Sequence, residues 1–180
     1  KMISGIFSFN KPKGITSHGF VSKLRKITGV KKIGHAGTLD PLASGVLVIG
    51  IGRESTKKLE KIVKKEKEYL ATIKLGFTST TYDEEGRKEK VEIIKKPSKK
   101  EVINKVKDFK GHISQIPPIY SAIKIKGKSA YKYARKGEEI ELKSRKVHIK
   151  SIKVLDYKWP YIKLYIITGP GVYIRSIAKD

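Results

Sequence analysis

The stretch GHAGTLDPLASG at residues 34–45 constrains this chain more than any other segment, because it sets a glycine-punctuated loop directly ahead of a continuous apolar run, Val46 to Ile49. Gly34, Gly37 and Gly45 let the backbone turn sharply or approach another molecule closely, and Pro41 biases Asp40 away from helical geometry. The segment reads as a loop that holds one carboxylate, Asp40, before a buried strand over Val46 to Ile51. Taken alone, an Asp-Pro pair in such a loop is a turn former.

The rest of the chain alternates strand and helix signals. Gly5 to Phe9 reads as a short strand, and Thr16 or Ser17 caps a helix whose Phe20, Val21, Leu24 and Ile27 recur at helical spacing until Gly29 ends it. A second helix starts near Ser55, with Leu59, Ile62 and Val63 as its apolar positions. Tyr69, Ala71, Ile73 and Leu75 alternate along a strand and therefore share a face. Ser98 and Glu101 form a capping box ahead of Val102, Ile103, Val106 and Phe109, and Gly111 is expected to close that helix. From Pro117 to Lys146 the pattern weakens into a basic, tyrosine-bearing stretch, read as a hairpin and a short helix around Tyr131 to Arg135. Strands resume over Val147 to Leu155 and Tyr161 to Thr168, and a Gly-Pro-Gly turn at 169–171 leads into a last helical start. This order predicts an α+β domain with a central mixed, largely antiparallel sheet flanked by helices.

Composition narrows the function. Forty-one Lys and Arg against 17 Asp and Glu leave a net charge of +24. Net charges of about 2–8 suffice to keep a small domain soluble, so the surplus points to a polyanionic partner. Cysteine is absent, which excludes disulfides, thiolate catalysis and cysteine zinc sites. His18, His35, His112 and His148 show no metal-ligand spacing. No apolar run approaches the roughly 18 residues of a membrane span, and the amino end has no signal-peptide pattern, so a cytoplasmic protein is expected. Gly50-Ile51-Gly52 between a strand and a helix is reminiscent of a dinucleotide site, but Ser55 replaces the third glycine. Glu66 and Glu68, the acidic residues at the expected distance, precede the next strand rather than end it, so a nicotinamide or flavin enzyme is rejected.

Five segments, in order, carry a family resemblance: Gly5 to Ser17 with its Lys-Pro-x-Gly turn, GHAGTLDPLASG, Glu68-Tyr-Leu-Ala71 with Leu75-Gly76 and Asp83-x-x-Gly86, Gln115 to Lys124 with Tyr131, Ala134 and Arg135, and Gly171-Val-Tyr-Ile-Arg175. Together they resemble the TruB family of RNA pseudouridine synthases. The resemblance implies the pseudouridine synthase fold and an enzyme that isomerises uridine to pseudouridine at position 55 in the T arm of tRNA, acting on a flipped-out base. It implies Asp40 as the catalytic carboxylate, attacking either the anomeric carbon or ring carbon 6, Arg175 as the cation that keeps it ionised, and Tyr69 as the aromatic that stacks on uracil. His35, Tyr173, Gly37 and Leu39 are the implied substrate contacts. Lys11, Lys124, Lys126, Lys132 and Arg135 are candidate phosphate contacts. It further implies no cofactor, no metal, no membrane association, tRNA as partner and a monomeric protein. Residues 1–180 are expected to be one catalytic domain, incomplete at its C-terminus, with a basic RNA-contacting insertion at about 116–146 and without the family's PUA-type C-terminal domain. Two other readings are the guide-RNA-dependent catalytic subunit of box H/ACA particles, which shares the Gly-Thr-Leu-Asp-Pro core, and a basic RNA-binding module without catalysis.

Overall fold

The computed structural model describes residues 3–125 and 127–180; Lys126, read above as a phosphate contact, lies outside the described residues. The chain forms two compact units, one up to Lys65 and one over Glu66–Asp180.

The first unit runs β1 (Gly5–Lys11), α1 (Ser17–Thr28), β2 (Ile33–Ala36), β3 (Gly45–Ile51) and α2 (Arg53–Val63). Its sheet has the order β1-β3-β2, with antiparallel pairing throughout. Thr16 caps α1 by accepting from Gly19 N–H, and Gly29 ends it at φ 69°, a left-handed conformation that glycine adopts without steric cost. Alternation along β3 puts Leu47, Ile49 and Ile51 on one face, where they bury against Val21 and Ile33, with Phe9 and Phe20 meeting edge to face at 5.7 Å.

The opposite face of β3 explains the first glycine of the Gly-x-Gly pair. Gly50 stands opposite Gly34 in the ladder, and a Cβ on Gly50 would lie 3.0 Å from the backbone of Ser55 and 3.2 Å from Leu59. The glycine therefore admits α2 against the sheet. Three expectations change here. Val46 is exposed while Leu47 is buried, so β3 begins with a half-exposed alternation rather than a buried run. Gly34 and His35 belong to a paired strand, β2, which shortens the loop to residues 37–44. Ile27, read as part of the apolar face of α1, sits in its last turn and is exposed.

The second unit contains β4 (Lys67–Lys74), β5 (Phe77–Ser79), β6 (Lys88–Lys90), α3 (Lys99–Lys107), β7 (Gly111–Gln115), β8 (Lys124–Ile125), β9 (Lys128–Ser129), α4 (Ala130–Ala134), β10 (Arg145–Lys158), β11 (Tyr161–Thr168) and α5 (Ile174–Lys179). Its main sheet has the order β4-β11-β10-β7, again antiparallel at every described pairing, with β5-β6 and β8-β9 as small hairpins. The core joins Ile149, Ile162, Leu164 and Ile166 of the sheet to Val102 and Val106 of α3 and Ile177 of α5. The capping box at Ser98 and Glu101 is complete in both directions. Gly111, however, opens β7 instead of closing α3: Asp108, Phe109 and Lys110 already turn the chain by donating to carbonyls of the last helical residues.

Gly50→Ala should destabilise the protein by about 1–3 kcal/mol, because the new methyl meets backbone rather than a flexible side-chain end. Urea unfolding of the two proteins measures this, and an unchanged midpoint would mean that α2 is free to lift off β3.

Candidate active site

The Asp40 loop is held at the residues on both sides of its carboxylate. Ser17 Oγ donates to Leu39 O at 3.1 Å and accepts from Leu39 N–H at 2.9 Å, and Ser17 is itself buried. Gly14 N–H donates to Pro41 O at 2.8 Å, and Ala43 N–H closes a turn onto Asp40 O at 3.0 Å. Leu39 packs into the core of the first unit. Asp40 is half-buried in this frame, so its position follows from bonds to two segments earlier in the chain.

Lys11 takes a different place from the one expected. A phosphate contact requires an accessible ammonium, yet Lys11 is 0% exposed, and its Nζ donates to Pro12 O at 2.9 Å and Ile15 O at 2.7 Å. Burial pushes its pKa down and the charge of Asp40 pulls it back up. That attraction is mutual, so the lysine favours the charged form of Asp40.

His35 lies on β2 opposite Ile49. Its Nδ1 donates to Gly37 O at 2.5 Å, which fixes the proton on Nδ1 and leaves Nε2 as the acceptor in the neutral ring. Burial lowers its pKa most, the Gly37 carbonyl opposes that, and His18, whose ring stands edge-on at 5.6 Å, lowers it further. Gly37 has φ 87° and so makes the turn out of β2.

In the second unit Tyr69 stands on β4 opposite Ile166, half-buried against the core with Ala71 and Ile73 on the same face. Tyr173 is the residue from which α5 starts, and Arg175 lies in the first turn. Arg175 Nη1 donates to Thr81 O at 3.2 Å and Nη2 to Tyr120 O at 2.9 Å, while Nη1 stands 3.6 Å from Asp83 Oδ2. Asp83 is held in turn by Thr81 Oγ1 and by Glu85 N–H. Between Thr81 and Asp83, Tyr82 has φ 60°, the one positive φ at a non-glycine residue among the described residues, and such a conformation persists only where its surroundings enforce it. Gly86 closes the same loop: a Cβ there would lie 2.5 Å from the hydroxyls of Ser79 and Thr81.

The residue patterns identified Arg175 but not these partners. Asp83-x-x-Gly86 was the available signal, and Gln115, which binds the backbone of Tyr173, had none beyond its place in a motif. Lys124 on β8, Lys132 on α4 and Arg135 after it are exposed, and the Arg135 guanidinium lies 5.4 Å from the Tyr131 ring centroid. A cavity of about 300 Å³ in the second unit is lined by Ile73, Val102, Phe109 and Ile162 and by none of the candidate residues. Among the described residues no group of three or more His, Cys, Asp or Glu is arranged to hold a metal, and no helix is long and apolar enough to cross a membrane.

Residues 25–174 match the TruB family pseudouridylate synthase (N terminal domain), and the chain belongs to that family. It is 47% identical over 178 residues to the tRNA pseudouridine synthase B of Clostridium tetani, covering 99% of this chain and 61% of that protein. It is 42% identical to the protein of the same name from Parabacteroides distasonis, covering 97% of this chain and 77% of that one. Against the first of these relatives the chain thus spans about three fifths of the length. Among solved structures, a Cbf5-Nop10-Gar1 complex contains a chain of TM-score 0.70 and 27% identity, covering 97% of this chain and 42% of that one. A box H/ACA particle bound to a substrate RNA gives TM-score 0.68 at 25% identity, covering 97% of this chain and 40% of that one. The fold is therefore that of the pseudouridine synthases.

The lowered pKa of His35 has a sign that can be tested. Between the usual value of about 6.5 and its lower folded value, the unfolded chain holds more protons than the folded one, so stability falls as pH drops through that window and is intact above it. His35→Gln should remove this part of the acid destabilisation. Urea midpoints of both proteins across that pH range check it; parallel curves would mean that the ring protonates as readily folded as unfolded.

Proposed function

We propose that the protein converts uridine to pseudouridine in the T arm of tRNA, at position 55, with Asp40 as the reacting carboxylate. The observation that carries this reading is the bracing of Asp40: Leu39 is bonded to Ser17 and Pro41 to Gly14. A turn-forming aspartate has no need of neighbours tied to two other segments. A nucleophile does, since a displacement of about 1 Å from a productive geometry costs about a hundredfold in rate.

The reaction is an isomerisation. The bond between the ribose anomeric carbon and ring nitrogen 1 breaks, the base turns, a bond forms to ring carbon 5, and the proton lost from carbon 5 is balanced by one gained at nitrogen 1; no oxidant or external energy is consumed. Asp40 attacks either the anomeric carbon or ring carbon 6. Tyr69 serves as the stacking surface for the extruded base, Arg175 as the cation that favours the ionised carboxylate, and Tyr173, His35, Gly37 and Leu39 as substrate contacts. Lys124, Lys132 and Arg135 track the phosphates. The names of the bacterial relatives support tRNA as substrate. The guide-dependent box H/ACA reading rests on more distant similarity, and conversion of a T-arm stem-loop with no guide RNA present separates the two. Binding of that RNA without conversion would favour the non-catalytic module.

Asp40→Asn should abolish conversion in a single-turnover assay while tRNA affinity stays within about twofold, because the amide keeps the shape but not the nucleophilic oxygen. Pseudouridine mapping after incubation gives the answer, and wild-type yield from this variant would remove Asp40 from the reaction.

Neutralising Lys124, Lys132 and Arg135 together should flatten the dependence of log affinity on log salt by about 0.7–0.9 for each phosphate that the protein no longer neutralises, with the rate at saturating RNA preserved. A salt titration decides; an unchanged slope would place the RNA path elsewhere.

A further inference from the structure

We propose that Gln115 is a positioning residue for Arg175, acting through the peptide groups of Tyr173. The proposal rests on the reading of Arg175 given above. Gln115 is the last residue of β7 and is 1% exposed. Its Nε2 donates to Tyr173 O at 3.0 Å, and its Oε1 accepts from Tyr173 N–H at 2.8 Å. A buried amide must satisfy both its donor and its acceptor, and here both go to the backbone of one residue. Such a two-point contact fixes the orientation of Tyr173 as well as its distance, much as a neighbouring strand would.

Tyr173 is the N-cap of α5, extended at φ −107° and ψ 115°, and its own side chain makes no capping bond. The glutamine thus holds the residue from which the helix starts, two positions before Arg175. On the other side of the arginine, buried Ser176 donates from Oγ to Ile116 O at 2.7 Å. Residues 173 and 176 are therefore tied to 115 and 116, and the arginine between them is aimed by the end of β7. From there its guanidinium reaches Tyr120 O and Thr81 O. A side chain needed only to fill this space has no use for an amide with both ends committed.

The test uses Gln115→Met and Gln115→Glu, each alone and combined with Arg175→Met, with single-turnover rate and affinity measured on a T-arm stem-loop. Gln115→Met should slow the reaction by about ten- to a hundredfold at nearly unchanged affinity, and it should slow it no further in the Arg175→Met background. Fully additive effects would overturn the proposal. A neutral carboxyl donates and accepts as the amide does, whereas a carboxylate only accepts; Gln115→Glu should therefore regain rate relative to wild type as pH falls, and Gln115→Met should not. A Gln115→Glu pH profile parallel to that of the wild type would also overturn it, and this comparison remains informative if Gln115→Met fails to fold.

Amide hydrogen exchange separates this proposal from the functional reading. If the wild-type protein converts no uridine, the functional reading fails, and the positioning claim is judged on exchange alone. Gln115→Glu above the pKa of its carboxyl should lose protection at Tyr173 to Ser176 while β10 and β11 keep theirs. Uniform loss across the sheet would make Gln115 an ordinary core residue and sink the inference.

Discussion

The placement of Asp40 depends on the buried ammonium of Lys11. A cation removed from water is costly unless the chain brings acceptors to it, and here Pro12 O and Ile15 O do so. Meeting that demand curls residues 11–15 into a tight turn. The turn presents Gly14 N–H to Pro41 and delivers Thr16 to the cap of α1, which sets Ser17 against Leu39. Turn, cap and first helical residue thus converge on the peptides flanking one carboxylate, and the same lysine favours that carboxylate's charged form. The opening segment and the Asp40 loop are one device, which gives a physical reason for their appearing together.

Arg175 in the second unit obeys the same rule with a different solution. It too is largely buried, and its guanidinium is met by two carbonyl oxygens and the carboxylate of Asp83. The planar fork of an arginine suits several acceptors at fixed angles, which a lysine at this position would not reproduce. Holding those acceptors in place requires the left-handed Tyr82 and the close-packed Gly86. Backbone strain of this kind costs of order 1–3 kcal/mol, and its location beside the arginine argues that the loop is shaped for that contact rather than for its own stability.

How much of this was legible in the residues depended on how local its cause is. The helix α1, its Thr16 cap and Gly29 stop, the capping box of α3 and the hairpin with α4 are set by neighbours within a few positions, and pattern reading found them. Strand β2 has the sequence of a loop because Gly34 and His35 carry no strand preference of their own; they pair with β3 where Gly50 opposite lets α2 pack close. Gly111 has the look of a helix stop, yet the helix had already turned at Asp108. Nothing in the local sequence of Lys11 announces its burial, so the residue reads as a surface charge. The contacts of Arg175 with Thr81, Asp83 and Tyr120, and of Gln115 with Tyr173, span more than fifty residues each, and no local pattern encodes them. The candidate catalytic carboxylate was visible through a motif; what holds it was not.

The two electrostatic populations of this chain do different work. Lys11 and Arg175 are buried and individually provided with acceptors, so each is worth much and is fixed in place. The surface pairs, such as Lys57 with Glu54 or Lys64 with Glu60, are well exposed and contribute little to stability. Forty-one cationic residues cannot be matched by 17 anionic ones, and the surplus opposes folding through mutual repulsion. Folding is carried by the two apolar cores instead. A positive excess that folding does not use is relieved when a polyanion replaces screening salt, and the release of that polyanion's own counterions then drives association. The charge that burdens the free protein is the charge a polyanion would neutralise, while the few buried cations, out of reach of salt, stay where their acceptors hold them.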